Sequence, residues 1–173
     1  LEQKKRIVEN IGQPANLHLE PGNALDLESL SAASSHFKPG EPITVVNEGL
    51  LRYLNFEEKA TVARNVHALL ERFGGAWITS DITLRRILES ENKLVSDQVQ
   101  KISKLIGINV DENRFENEEQ AQKFFEDLGF TIERHPFSEV MDELVSPGRL
   151  KLSKEQVEDI VGPAVVYVMR AKS

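Results

Sequence analysis

Short apolar segments alternate with amphipathic helical segments along most of the chain, and this alternation constrains the fold more than any other feature. The strand-like segments, in chain order, cover residues 17–19, 43–46, 77–79, 130–137 and 165–169. Apolar residues at helical spacing occupy most of the intervals between them. Because strands separated by helices pair most readily as parallel neighbours, the pattern predicts an α/β fold. We expect a mostly parallel sheet with helices on both faces.

Polar residues mark where several of these helices begin. Asn55 stands three positions before Glu58, which predicts a capping box at the start of a helix that Gly74 and Gly75 end. The pair Ser153 and Gln156 predicts a second capping box near the end of the chain. Asp26 is a suitable N-cap for a helix reaching Phe37.

The regular alternation stops between residues 85 and 116. This stretch is too long for a tight connection, and its apolar residues at 99, 102, 105 and 106 have helical spacing. We therefore expect a helical insertion or lid at about 85–116. The total of 173 residues suits one domain, so residues 1–173 are predicted to form a single domain with this insertion.

Composition excludes several classes of function. With 21 Lys and Arg against 28 Asp and Glu, the net charge is −7, which disfavours a broad nucleic-acid or anionic-membrane surface. The chain has no Cys, and its four His show no metal-ligand spacing, so neither thiolate chemistry nor a metal site is predicted. No two Gly lie two positions apart, so there is no G-x-G phosphate loop. We expect a cytoplasmic protein with no nucleic-acid or membrane partner.

The most informative stretch is the β-branched run 43–46 with the residues that follow it. The strand leads directly into Glu48 and Gly49, which places an ionisable side chain at its carboxyl end. Ligands bind at that edge of open α/β sheets, and Gly allows close approach of a ligand. On spacing alone, Glu48 is equally well explained as a turn residue, with Leu50, Leu51 and Leu54 filling the core.

Residues 47–54 read Asn-Glu-Gly-Leu-Leu-Arg-Tyr-Leu, and Glu57-Glu58-Lys59 follows shortly after. This stretch closely resembles the E-G-x-L-x-Y-L signature of the leucine carboxyl methyltransferase family, which includes bacterial polyketide O-methyltransferases. Residues 21–27 look like the segment after the third strand of such enzymes, where they hold adenine, and residues 1–6 look like the helix that follows their ribose-binding acid. The resemblance implies a Rossmann-like class I methyltransferase fold and S-adenosylmethionine as cofactor.

The resemblance also implies roles for individual residues. Glu48, with Gly49 beside it, should lie near the methionine part of the cofactor, where a carboxylate offsets ammonium or sulfonium charge. Asn23 and Ala24 should meet the adenine, the first through its side chain and the second through its backbone N–H. Many relatives have Asp where this chain has Asn23. Tyr53 should border the methyl-transfer cleft as the catalytic candidate, or else serve only in packing.

Substrate-binding candidates come from the stretch after Asp81. Arg85 and Arg86 have the planar guanidinium that suits a carboxylate, although a solvated helix start is the better explanation of both. We expect a small-molecule substrate that offers a carboxylate or an acidic hydroxyl. A homodimer is compatible with the sequence but is not indicated by any feature of it.

Two motifs of the family are missing from residues 1–173: the Gly-rich turn after the first strand and the acid that grips the ribose. Both would precede Leu1, so we expect these residues to be the C-terminal portion of a longer methyltransferase domain, inactive by themselves. One alternative is a methyltransferase-like domain that has lost turnover and serves in binding or dimerisation. Another is an unrelated flavodoxin-like or Rossmann-like binding protein.

Overall fold

The computed structural model describes residues 2–12, 14–85, 112–162 and 164–172. Its helices are α1 (Glu2–Ile11), α2 (Leu27–Ala33), α3 (Phe56–Phe73), α4 (Glu118–Asp127), α5 (Val145–Leu150) and α6 (Lys154–Val161). Its strands are β1 (Ile43–Asn47), β2 (Gly75–Thr79), β3 (Phe130–Pro136) and β4 (Val165–Ala171). Single 3₁₀ turns cover Leu51–Tyr53, Phe137–Glu139 and Met141–Glu143. The chain is therefore a mixed α/β protein.

The four strands form one sheet in the order β1-β2-β4-β3. β1 and β2 are parallel, whereas β4 runs antiparallel to both of its neighbours. The expectation of a mostly parallel sheet is thus wrong for the described strands. A parallel neighbour needs a crossover across the sheet face. Here α6 lies in the connection from β3 to β4. It packs against the 3₁₀ turns Phe137–Glu139 and Met141–Glu143 instead of crossing the face of the sheet.

The core lies on one face of the sheet. Trp77, in β2, is fully buried there, and its ring meets the Phe125 ring of α4 edge-on at 5.7 Å. On the same face α3 packs against β1, β2 and β4, and α4 packs against β3. Val46 points to the opposite face and remains 67% exposed. A second helical layer over this face, which we expected, is not seen at Val46 within the described ranges.

Local capping signals are confirmed. Asn55 and Glu58 form both hydrogen bonds of a capping box at the start of α3, and Ser153 and Gln156 do the same for α6. Asp26 accepts from the Glu28 N–H and caps α2. That helix ends at Ala33, four residues before the predicted end, and leaves the Phe37 side chain 53% exposed.

The predicted strand at residues 17–19 is wrong. These residues have no strand pairing in the described structure, and Leu17 instead donates its backbone N–H to the Pro14 carbonyl in a turn. A strand is held by the hydrogen bonds of a neighbour, and no described strand lies beside this one. The apolar alternation of Leu17 and Leu19 alone is therefore insufficient to form a strand here.

Candidate functional site

Residues 47–54, which we call the motif segment, leave the carboxyl end of β1 and are held by one buried carboxylate. Asp81 lies just beyond the end of β2 and is fully buried. It accepts backbone N–H bonds from Gly49 at 2.7 Å, Leu50 at 2.5 Å and Leu51 at 3.1 Å. Gly49 has a φ of +71°, which turns the chain so that these amides converge. No local sequence pattern indicates this role for Asp81.

The first residue of the motif segment is fixed by side-chain bonds as well. Asn47 donates from Nδ2 to Asp81 at 2.8 Å, and its Oδ1 accepts the Trp77 indole N–H at 2.6 Å. Arg52 places Nη2 3.8 Å from the Asp81 carboxylate. The Asp81 backbone N–H itself binds the Thr79 hydroxyl. The ends of β1 and β2 are thereby joined into one hydrogen-bonded unit.

Glu48 lies between Asn47 and Gly49, which both bond to Asp81, but its own side chain takes no part in these hydrogen bonds. Its side chain is exposed, and no described residue contacts its carboxylate by a hydrogen bond or an ion pair. Tyr53 is half-buried in the 3₁₀ turn that follows. A cavity lies beside β1, and it is lined by none of Glu48, Gly49 and Tyr53. The sequence therefore placed Glu48 correctly at the carboxyl end of β1, while its role stays a prediction.

The cavity beside β1, of about 170 Å³, lies at the edge of the sheet, and α3 forms part of its wall. Its walls are almost entirely apolar and come from the loop before α2, from α2, β1, the motif segment, α3 and β2: Ala24, Leu30, Val45, Val46, Asn47, Leu50, Val62, Val66, Leu69 and Trp77. The polar side chain in this lining is that of Asn47. A small, largely apolar group is the kind of ligand that such a wall accommodates.

The predicted adenine residues take different positions relative to this cavity. Ala24 lines it, and its carbonyl accepts a bond of 2.9 Å from Nδ2 of the buried Asn65 in α3. Asn23 is exposed, and its Oδ1 accepts the Leu25 N–H at 3.0 Å in a local turn. The structure thus brings Ala24 next to the motif segment. Asn65, which holds that loop, was missed because its partner lies 41 residues earlier.

Lys59 is a second buried charge at the far end of the motif segment. Its ammonium donates to the Leu54 carbonyl and, at 2.7 Å, to the Asn113 carbonyl, and it lies 5.1 Å from the centre of the Phe56 ring. Burial lowers the pKa of Lys59 to about 8, against an opposing effect from Glu58. Lys59 was named only as part of the resemblance, because apolar helix spacing does not indicate a buried ammonium.

Of the two predicted substrate residues, the structure describes Arg85, and it does not line the cavity. Arg85 is exposed, and Nη1 forms an ion pair of 2.7 Å with Glu116. Its backbone N–H binds the Phe115 carbonyl, next to a bridge between Leu84 and Phe115. Arg86 and most of the predicted insertion, residues 86–111, lie outside the described residues.

Two kinds of feature are absent from the described residues. No group of three or more His, Asp or Glu side chains is arranged to hold a metal ion in the ranges that the structure describes. No described helix combines the length and the apolar composition that crossing a membrane requires.

No protein-family model matches the chain, and no curated protein matches its sequence. Solved structures do match. A possible exported protein from Bordetella parapertussis aligns over 99% of this chain with a TM-score of 0.55 and 14% identity. The chain spans 50% of that protein, and the likeness concerns the fold alone.

A second solved structure is the phosphoethanolamine N-methyltransferase 2 of Haemonchus contortus in complex with phosphomonomethylethanolamine and S-adenosylhomocysteine. It aligns over 79% of this chain and 35% of its own, with 12% identity and a TM-score of 0.36. This overlap is too partial to define a shared fold.

Proposed function

We propose that this chain is part of a Rossmann-like, S-adenosylmethionine-dependent O-methyltransferase. One observation carries the proposal: the segment that resembles the E-G-x-L-x-Y-L signature leaves a strand beside an apolar cavity, and Ala24 lines that cavity with it. The resemblance assigns the cofactor's methionine part and adenine to these two segments. Their proximity in the fold supports the assignment.

The residues present fit such a cofactor. The apolar walls around Ala24 and Leu50 suit a flat purine ring. The resemblance assigns Asn23 and Ala24 to that ring. Glu48 offers an exposed carboxylate that no described residue neutralises, which suits a ligand carrying ammonium and sulfonium charge. When bound, S-adenosylmethionine supplies an activated methyl group.

The substrate we propose is a small molecule with a carboxylate or an acidic hydroxyl. A carboxylate, with a pKa of about 4, is already ionised at neutral pH and needs no general base. The residues around the motif segment then have to orient the nucleophile and exclude water, and Tyr53 is the candidate that borders the reacting groups. Arg85 would contribute to substrate binding only after exchanging its Glu116 partner.

Calorimetric titration with S-adenosylmethionine tests this proposal, with the whole natural polypeptide that contains this chain as the sample. We expect Glu48→Gln to weaken binding about tenfold, since it removes a charge-assisted contact and keeps the side-chain shape. Glu143→Gln, an equally conservative change at another exposed carboxylate, should bind like the wild type. Absence of binding by the wild type would refute the proposal, and equal binding by the two variants would refute the role of Glu48.

A binding or dimerisation module without turnover is the second candidate. It is favoured by β1, which pairs with β2 on one side and has no described strand on the other, and by the exposed Val46 on that strand. Such an edge can add a strand from another chain. A sample that binds S-adenosylmethionine, forms a dimer and transfers no methyl group would favour this candidate.

A further inference from the structure

We propose that Asp81 is the positioning residue of the motif segment, which fixes the backbone around Glu48 before any cofactor binds. This inference rests on the proposed function, because the ligand concerned is the same S-adenosylmethionine. Asp81 lies just beyond the end of β2, whereas the motif segment follows β1. The resemblance assigned no role to Asp81.

The physical basis is the burial of the Asp81 carboxylate. A carboxylate removed from water is strongly unfavourable unless donors surround it. Asp81 is fully buried and receives four donors from the motif segment, three of them successive backbone amides. Successive amides that converge on one anion form a nest, and this geometry leaves the chain little freedom. The carboxylate therefore dictates the path of residues 47–51.

The donors bracket Glu48. Asn47 precedes it and Gly49 follows it, and both are bonded to Asp81 at 2.8 and 2.7 Å. Glu48 itself makes no bond to Asp81 and is exposed. Both neighbours of Glu48 are thus held while its side chain stays available. Binding to a preformed segment avoids the cost of ordering it, which strengthens affinity without a direct contact.

A double-mutant cycle separates positioning from general stabilisation. Asp81→Asn keeps the side-chain shape but turns one accepting oxygen into a donor that faces the amide hydrogens. We expect it to weaken S-adenosylmethionine binding about tenfold in the natural polypeptide, at a temperature where the variant is folded. If Asp81 acts through Glu48, adding Glu48→Gln causes no further loss. Additive losses, or unchanged affinity in folded Asp81→Asn, would overturn the proposal.

The control for lost stability is Ser153→Ala, which removes half of the α6 capping box. We expect it to lower the melting temperature and leave the affinity for S-adenosylmethionine unchanged. If it weakens binding as much as Asp81→Asn does, then affinity follows stability, and the positioning role is wrong.

Two measurements decide the question if Asp81→Asn does not fold. In the free wild type, the amides of Gly49, Leu50 and Leu51 should exchange hydrogen slowly. Slow exchange that appears only with S-adenosylmethionine would contradict a preformed segment. The second measurement compares Gly49→Ala with Gly40→Ala, because both positions have positive φ and open space for a Cβ. Only Gly49→Ala should weaken binding, about tenfold; equal affinities would overturn the proposal.

Failure of this inference can be told apart from failure of the proposed function. A wild type that does not bind S-adenosylmethionine refutes the function and, with it, the role of Asp81 toward this ligand. A wild type that binds, together with fast exchange of the three amides or additive losses in the cycle, refutes the positioning role alone.

Discussion

The two ends of the motif segment are held by buried charges of opposite sign, and their surroundings differ. At the start, Asp81 accepts from three backbone amides and the Asn47 side chain, with Arg52 nearby. At the end, Lys59 donates to two backbone carbonyls and lies beside the Phe56 ring. Burial lowers the pKa of Lys59 to about 8. Backbone dipoles thus hold both charges, but the ammonium retains a clear desolvation cost.

The contrast has a chemical origin. Amides in consecutive residues can all turn toward one carboxylate, because a small anion accepts from several directions. Carbonyls that approach an ammonium come from separate parts of the chain, here Leu54 and Asn113. The anionic anchor therefore orders a continuous stretch, whereas the cationic anchor ties two distant stretches together.

The largest expected effect is the loss of the anionic anchor. Asp81→Ala leaves three amides and the Asn47 side chain without their acceptor in a buried place. We expect the free energy of unfolding to fall by about 3–4 kcal/mol. Urea unfolding, followed by Trp77 fluorescence, measures it. Asp142→Ala, at an exposed carboxylate, is the control, and a similar loss in both variants would contradict the comparison.

The cationic anchor should show its cost as a pH dependence. The unfolded chain keeps the Lys59 proton up to the ordinary pKa of 10.5, whereas the folded chain releases it near 8. Between these values the unfolded state binds more protons, so the free energy of unfolding rises with pH, by about 1 kcal/mol per pH unit.

Lys59→Met isolates this contribution. We expect the variant to be about 1 kcal/mol less stable than the wild type at pH 7, since lost hydrogen bonds are partly offset by relief of desolvation. The deficit should grow toward pH 10, because only the wild type gains stability there. Denaturant unfolding at both pH values is the measurement. Parallel profiles for the two proteins would show that Lys59 does not titrate near 8.

The smallest effect should come from the exposed pair of Arg85 and Glu116. Both side chains are about half exposed, so solvent screens their attraction although Nη1 lies only 2.7 Å from the carboxylate. Arg85→Gln should change the free energy of unfolding by less than about 0.5 kcal/mol. Any difference should be smaller in about 0.5 M salt, because added ions screen the attraction between the two exposed charges. A loss of stability as large as that of Asp81→Ala would show that burial does not explain the difference between this exposed ion pair and the buried Asp81 carboxylate.

Local features of the fold could be predicted from the sequence, and features that depend on distant partners could not. The capping box of Asn55 and Glu58 needs only four consecutive residues and is present as predicted. The strand at 17–19 needed a neighbour that the described structure does not supply. Asp81 went unnoticed because its partners lie 30 to 34 residues earlier in the chain.

For the candidate site, too, local features could be predicted from the sequence, and features that depend on distant partners could not. A short local pattern placed Glu48 at the end of a strand, and the resemblance indicated Ala24, which lines a cavity together with Asn47 and Leu50 of the motif segment. The antiparallel insertion of β4 between β2 and β3 depends on how the chain returns after residue 137, which no short pattern encodes. Lys59 was hidden among the charged residues that begin α3, where a solvated side chain is the ordinary expectation.

The bridge between Leu84 and Phe115 has a practical consequence for protein engineering. The Arg85 N–H meets the Phe115 carbonyl at 2.9 Å, so the two ends of the intervening stretch already touch. Each doubling of the length of a flexible loop between adjacent ends adds only about 0.6 kcal/mol to the entropic cost of closing it. The junction of Leu84 and Phe115 should therefore keep its place when the chain between them is lengthened. The same junction is a suitable point for grafting a loop of foreign sequence.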